Sequence, residues 1–113
     1  MIVDDSLPVR KYVRELLVEH RDLILVGEAE NISEGLQLVI ETKPNVLILD
    51  INLPGGSGLI LLSSVKALKP ECKIIMMSNQ ADSNIRREAK SLGADHFLDK
   101  AFEFEQLIDA IRT

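Results

Sequence analysis

Cysteine is almost absent. Cys72 stands alone among 113 residues, which excludes an internal disulfide and any multi-cysteine zinc site and suits a reducing compartment. Long apolar runs are missing too, since none approaches the ~18 residues of a membrane span. The chain opens Met1-Ile2-Val3-Asp4-Asp5, with no basic stretch and no room for a signal-peptide core, so secretion and membrane insertion are not expected. Positive charge is in deficit: 13 Lys and Arg against 18 Asp and Glu give a formal net charge of −5. That balance argues against direct nucleic-acid binding, which requires a basic face. There are no repeats, low-complexity tracts or linker-like stretches. The remaining mixture, 46% hydrophobic and 27% charged, is ordinary for a globular protein, and the length fits one domain over residues 1–113.

Two hydrophobic periods alternate along the chain. Short apolar runs occur at Met1–Val3, Leu23–Ala29, Val46–Leu49, Lys73–Met77 and His96–Leu98, and read as strands. Between and after them, apolar residues recur at helical spacing. Ser6 and Pro8 suit the start of a helix running to about Glu19. Asn31 with Glu34 resembles a capping box, and Pro44 ends the helix that follows. The segment Leu53-Pro54-Gly55-Gly56-Ser57-Gly58 reads as a loop, with a helix over Leu59–Leu68 behind it. Asp82 suits an N-cap, and Gly93 a left-handed stop after about Leu92. Phe104, Leu107, Ile108 and Ile111 form one stripe of a last helix. Five strands alternating with five helices predict an α/β fold. The strands are too apolar for a wet face, so helices should cover both sides of a parallel, doubly wound sheet.

In such folds a ligand site lies beyond the carboxyl ends of the strands. Asp4 and Asp5 end the first strand, Asp50 the third, Ser78 the fourth and Lys100 the fifth. Taken singly, each is a polar residue that starts a loop. Together, three carboxylates, a hydroxyl and an amine are brought to one edge. Two carboxylates ~4 Å apart repel by about 4 kcal/mol at an effective dielectric near 20, and one lysine cannot balance three. A hard divalent cation complements them, and Mg²⁺ suits a site of few carboxylates and several waters. Metal, carboxylate, amine and hydroxyl together make a phosphoryl-transfer arrangement, in which a carboxylate can be the nucleophile. Asp50 is the best candidate, from a central strand with a Gly-rich loop behind it.

These residues resemble the receiver domain of bacterial two-component response regulators. The resemblance rests on Val3-Asp4-Asp5-Ser6, Leu47-Ile48-Leu49-Asp50-Ile51-Asn52-Leu53-Pro54 with Gly58, Ile74-Ile75-Met76-Met77-Ser78, and Gly93-Ala94-Asp95-His96-Phe97-Leu98-Asp99-Lys100. It covers essentially the whole chain. It implies a flavodoxin-like (βα)5 fold with strand order 2-1-3-4-5. It further implies that Asp50 accepts a phosphoryl group from a sensor histidine kinase or phosphotransfer protein. Asp4, Asp5, Asp50 and the backbone carbonyl of Asn52 would hold Mg²⁺. Lys100 would pair with phosphoryl oxygens, Ser78 would move to hydrogen-bond them, and Phe97 would be the aromatic that swings inward. The surface that switches would comprise the fourth helix, fifth strand and fifth helix. A cytoplasmic signalling domain is expected, not an enzyme with a separate substrate, although it would promote its own phosphorylation and dephosphorylation. Homodimerisation on activation and an effector domain outside this chain both fit the resemblance.

The sequence departs from that pattern in places. Ala101 follows Lys100 where proline after a cis bond is usual. Ser57 replaces a common Asp or Asn, His96 a small residue, and the first strand is short. His20, His96 and Cys72 have no ligand spacing and read as packing or surface residues. Met76 and Met77 read as core, and Arg86-Arg87 as a solvated pair. Phe102 and Phe104 fit either packing or a partner face. The strand Val26-Gly27-Glu28-Ala29 and the Lys-Ala junction look like receivers that precede LuxR-type helix-turn-helix domains. An FMN binder would share the fold, but Asp4-Asp5 would repel its phosphate. A haloacid-dehalogenase-like phosphatase would need an Asp-x-Asp nucleophile motif after the first strand. The remaining alternative is a degenerate receiver acting as a phosphorylation-independent protein-interaction module.

Overall fold

The computed structural model describes residues 1–113. Five parallel strands form one sheet: β1 (Ile2–Val3), β2 (Glu28–Ala29), β3 (Val46–Asp50), β4 (Lys73–Ser78) and β5 (His96–Asp99), in spatial order β2-β1-β3-β4-β5. The helices are α1 (Leu7–Val18), α2 (Ile32–Thr42), α3 (Gly58–Leu68), α4 (Ser83–Ser91) and α5 (Leu107–Arg112). This is the flavodoxin-like doubly wound order that the resemblance implies.

Strand periodicity sorts the core into two layers. Val3, Leu47, Leu49, Ile74 and Met76 point to one face, with Val39 of α2, Leu61, Leu62 and Val65 of α3 and Ala89 of α4. Ile2, Ile48, Ile75, Met77 and Leu98 point to the other, with Val13 and Leu17 of α1 and Leu107 and Ala110 of α5. With helices on both faces, β3 and β4 are buried from their second residue onward. Met76 and Met77 are core residues, as expected, and Cys72 is buried.

The local start and stop signals act as the sequence suggests. Ser6 Oγ accepts from Val9 N, Asn31 Oδ1 from Glu34 N and Asp82 Oδ1 from Ile85 N, each satisfying an otherwise orphaned amide. Gly93 has φ +109° after the end of α4, a conformation that glycine adopts without a Cβ penalty.

Three expectations need correction. Of the apolar run Leu23–Ala29, only Glu28 and Ala29 pair, because β1 offers them just Ile2 and Val3. The segment after Asp50 is not all loop: Asn52–Leu53 pairs antiparallel with Gly56–Ser57 around Gly55 at φ +87°, and Gly58 already begins α3. The last helix opens with a 3₁₀ turn at Phe104–Gln106 before α5. There Phe104 packs edge to face on Tyr12, with ring centroids 4.7 Å apart, while Phe102 is exposed. The Lys100–Ala101 bond is trans, like every other peptide bond.

Candidate functional site

Parallel pairing brings the carboxyl ends of β1, β3, β4 and β5 to one edge. Asp4 follows β1, and Asp50 closes β3. Ser78 closes β4, and Lys100 follows β5 with its amide donating to the Ser78 carbonyl at 3.0 Å. All five residues singled out at strand ends, Asp5 included, therefore lie at this edge. Asp4, Asp5 and Asp50 each present a carboxylate oxygen within 4.8 Å of the others. Asp4 and Asp50 are buried, whereas Asp5 is exposed to solvent.

Lys100 enters between the buried pair. Its Nζ lies 2.7 Å from Asp4 Oδ2 and 3.2 Å from Asp50 Oδ2. The other oxygens have backbone partners: Asp4 Oδ1 accepts from Ser6 N at 2.9 Å and Asp50 Oδ1 from Asn52 N at 3.4 Å. Burial pushes the Asp50 carboxyl above the ordinary carboxylate range. The nearby Asp4 charge adds to that, and Lys100 only partly offsets it. Burial alone would push Lys100 down, but the hydrogen bond to Asp4 and the Asp50 charge outweigh it and hold the ammonium above its usual value. Fully ionised, the cluster carries three negative charges and one positive, a net of −2. All-oxygen donors with excess negative charge fit a hard divalent cation, and exposed Asp5 gives it access.

Ser78 is fully buried, and its Oγ accepts from Gln80 N at 2.9 Å. Phe97, on β5 opposite Met76, packs partly buried on the α2–α3–α4 face. Asn52 lies in the first strand of the small hairpin, two residues beyond Asp50.

Two arginines belong to this region, Arg10, which the sequence does not single out, and Arg86, which it reads as solvated. Arg10 of α1 is buried. It donates to the Asp4 carbonyl at 2.5 Å, to Glu28 at 3.2 Å and to Glu30 at 3.1 Å. It fixes the backbone that carries Asp4 and ties it to β2. Arg86 is not the solvated residue expected: it hydrogen-bonds Ala81, Phe97 and Glu103, while Arg87 is exposed.

The other candidates stay outside the site. His20 bonds Arg112 at 3.2 Å, His96 pairs opposite Ile75 within the sheet, and burial pushes the Cys72 thiol up. A cavity of about 350 Å³ opens at the opposite, amino-terminal end of the sheet. It is lined mainly by apolar side chains such as Leu23, Val26 and Val46 and holds no carboxylate cluster. The convergent polar groups, not the cavity, mark the place for chemistry.

The model of the response regulator receiver domain family matches residues 1–112. The chain belongs to that family. This receiver is 32% identical over 111 residues to the chemotaxis protein CheY of Listeria monocytogenes, an alignment covering 98% of this chain and 92% of that one. A two-component response regulator of the LuxR family from Aurantimonas superposes with a TM-score of 0.92 at 27% identity, over 99% of this receiver and 80% of that chain. A Burkholderia pseudomallei response regulator, solved with a phosphorylated aspartic acid, a calcium ion and citrate, superposes with a TM-score of 0.88 at 26% identity, over 99% and 65%. Receiver domains act in two-component phosphorelay signalling, interact with histidine kinases and are often joined to effector domains. No helix of this receiver is long and apolar enough to cross a membrane.

Proposed function

We propose that this receiver accepts a phosphoryl group on Asp50 from a sensor histidine kinase or phosphotransfer protein, in the cytoplasm, and thereby switches a partner- or output-binding surface. The observation that carries this reading is the convergence of Asp50 with Lys100, Asp4 and Asp5 at one sheet edge. The phosphorylated aspartate and calcium ion of the Burkholderia relative support it.

A carboxylate oxygen of Asp50 attacks phosphorus, the bond to the donor histidine nitrogen breaks, and an acyl phosphate remains. Asp4, Asp5, Asp50 and the Asn52 carbonyl would hold Mg²⁺, which when bound neutralises phosphoryl charge and the excess charge of the cluster. Lys100, already beside Asp50, turns to the new phosphoryl oxygens in a charge-assisted contact. Ser78 gives up the Gln80 N–H and donates its own hydroxyl to the phosphoryl group. Phe97, on the neighbouring strand, follows that shift. Hydrolysis of the acyl phosphate within the same site would end the signal. Dimerisation or an attached effector would read the changed surface of α4, β5 and α5.

The test is incubation with acetyl phosphate and Mg²⁺, followed by intact mass. One phosphoryl group on the native chain and none on Asp50→Asn is the expected result. An Asn variant labelled as well as the native chain sinks the assignment. A native chain that stays unlabelled while still binding its partner would favour a phosphorylation-independent interaction module.

A further inference from the structure

Arg86 stands in the first turn of α4 and joins three segments around the candidate switch. Its Nε donates to the Ala81 carbonyl at 3.0 Å, its Nη1 to the Phe97 carbonyl at 3.1 Å and its Nη2 to Glu103 Oε1 at 2.7 Å. Its guanidinium also lies 5.0 Å from the centre of the Phe97 ring, within cation–π range. Glu103 Oε1 accepts in turn from Asp99 N at 2.9 Å, one residue before Lys100. One side chain thus links the loop that leaves Ser78, the strand that carries Phe97 and the turn that follows Lys100.

We propose that Arg86 is a positioning residue that straps the switch in its resting form and sets how readily Ser78 and Phe97 move, without touching Asp50. The inference rests on Asp50 being the phosphoacceptor and adds the regulation of that same site. In the present arrangement Ser78 Oγ is engaged with Gln80 N. A shift of Ser78 toward Asp50 pulls on Ala81, three residues along, and on the Arg86 bond that holds it. An inward turn of the Phe97 ring gives up its contact with the guanidinium. The Arg86–Glu103 pair is about one-third exposed on each side, so its Coulombic worth is modest. The fork geometry matters more. Only a guanidinium reaches two carbonyls and a carboxylate while lying on a ring, and a lysine ammonium does not reproduce it.

Contacts made only in the resting form hold down the population of the switched form, and a ligand selective for the switched form binds more weakly by that factor. Beryllofluoride with Mg²⁺, a phosphoryl mimic, is the probe, titrated while amide chemical shifts are recorded. Arg86→Ala should bind it about five-fold more tightly, an ordinary size for such a coupling. Without the mimic, its Phe97 and Lys100 amides should already be displaced toward their bound positions. Arg86→Lys should fall between Arg86→Ala and the native chain. Glu103→Gln should move the same way by less, and it decides the matter if Arg86→Ala does not fold.

Native affinity and native shifts in Arg86→Ala, with only a lower melting temperature, would reduce Arg86 to packing and overturn the proposal. Weaker binding would make it a brace of the switched form and also overturn it. If the native chain itself fails to bind beryllofluoride, the phosphoacceptor reading falls and the strap with it. That outcome is recognisable because every variant shares it.

Discussion

Gly58 and Asp50 meet backbone to backbone. A Cβ on Gly58 would lie 1.9 Å from the Asp50 carbonyl oxygen, and the Gly58 amide donates to the Ile51 carbonyl. The first residue of α3 is therefore pressed against the strand end that carries the candidate phosphoacceptor. Gly58→Ala must displace that strand end, since the obstacle is backbone and not a flexible side chain. The expected cost is about 2–3 kcal/mol, the size of an overpacking strain, read as a shift in the urea midpoint. Labelling of Asp50 by acetyl phosphate should fall as well. A variant with native stability would mean that the contact relaxes freely.

Lys100→Met tests the electrostatics of the cluster. The ammonium is shared by two buried carboxylates, so removing it leaves both uncompensated, at a cost of about 3 kcal/mol at pH 7. Because the folded-state value of Lys100 is raised, its contribution is fully present below the ordinary lysine value. It is lost only as pH rises through the folded value, so pH 7 samples all of it. Mg²⁺ should recover more stability in this variant than in the native chain. Equal urea midpoints for the two proteins would contradict the buried-pair reading.

A divalent ion should stabilise the native chain by mass action. At ten times its Kd, Mg²⁺ adds about 1.4 kcal/mol, visible as a rising Tm in a titration. Asp5→Asn should lose that increment. In the ion's absence it should melt no lower than the native chain, because it removes one negative charge from the cluster. A native Tm unmoved by millimolar Mg²⁺ would speak against a metal at this edge.

Asp95 gives a pH signature away from the site. Its Oδ2 accepts from Lys66 Nζ at 2.9 Å and Ile74 N at 2.8 Å. Burial, the largest single influence, raises its carboxyl, but the Ile74 N–H and the Lys66 ammonium together outweigh it and hold the group below the ordinary value of 3.8. A depressed carboxylate contributes stability above its unfolded value and loses it as pH falls through the folded one. Asp95→Asn should cost about 1 kcal/mol at pH 7, the worth of a hydrogen bond. The gap should close as pH drops below 3.8. A constant gap down to the acid transition would show that packing, not charge, carries the effect.

The strand ends were readable in the sequence because each apolar run stops at a polar residue, and parallel pairing then gathers those ends. Asp4, Asp5, Asp50, Ser78 and Lys100 follow from that alone. Phe97 and Asn52 needed the family resemblance, since an aromatic on a strand and an Asn in a turn have many ordinary uses. Arg10 and Arg86 were not readable. An arginine on an amphipathic helix reads as solvated, and the carboxylates that pair with buried Arg10, Glu28 and Glu30, lie 18 and 20 residues away. The hairpin after Asp50 has a local signal, Pro54-Gly55 with glycine at positive φ, but too few residues to register as strands. β2 is shorter than its apolar run suggests for a reason outside its own residues: a ladder extends only as far as its neighbour does.

That short ladder orders how the sheet comes apart. β3 and β4 share five paired positions and have neighbours on both sides, so their amides should exchange with solvent deuterium only when the whole fold opens. β2 is an outermost strand, anchored to β1 at Glu28 and Ala29. The stretch from Leu23 to Val26 carries no ladder pairing, and Ile24 is largely exposed. Its amides should exchange first, by local opening that leaves Asp50 in place. A protease that cleaves after leucine or isoleucine should nick this stretch before it reaches any other strand.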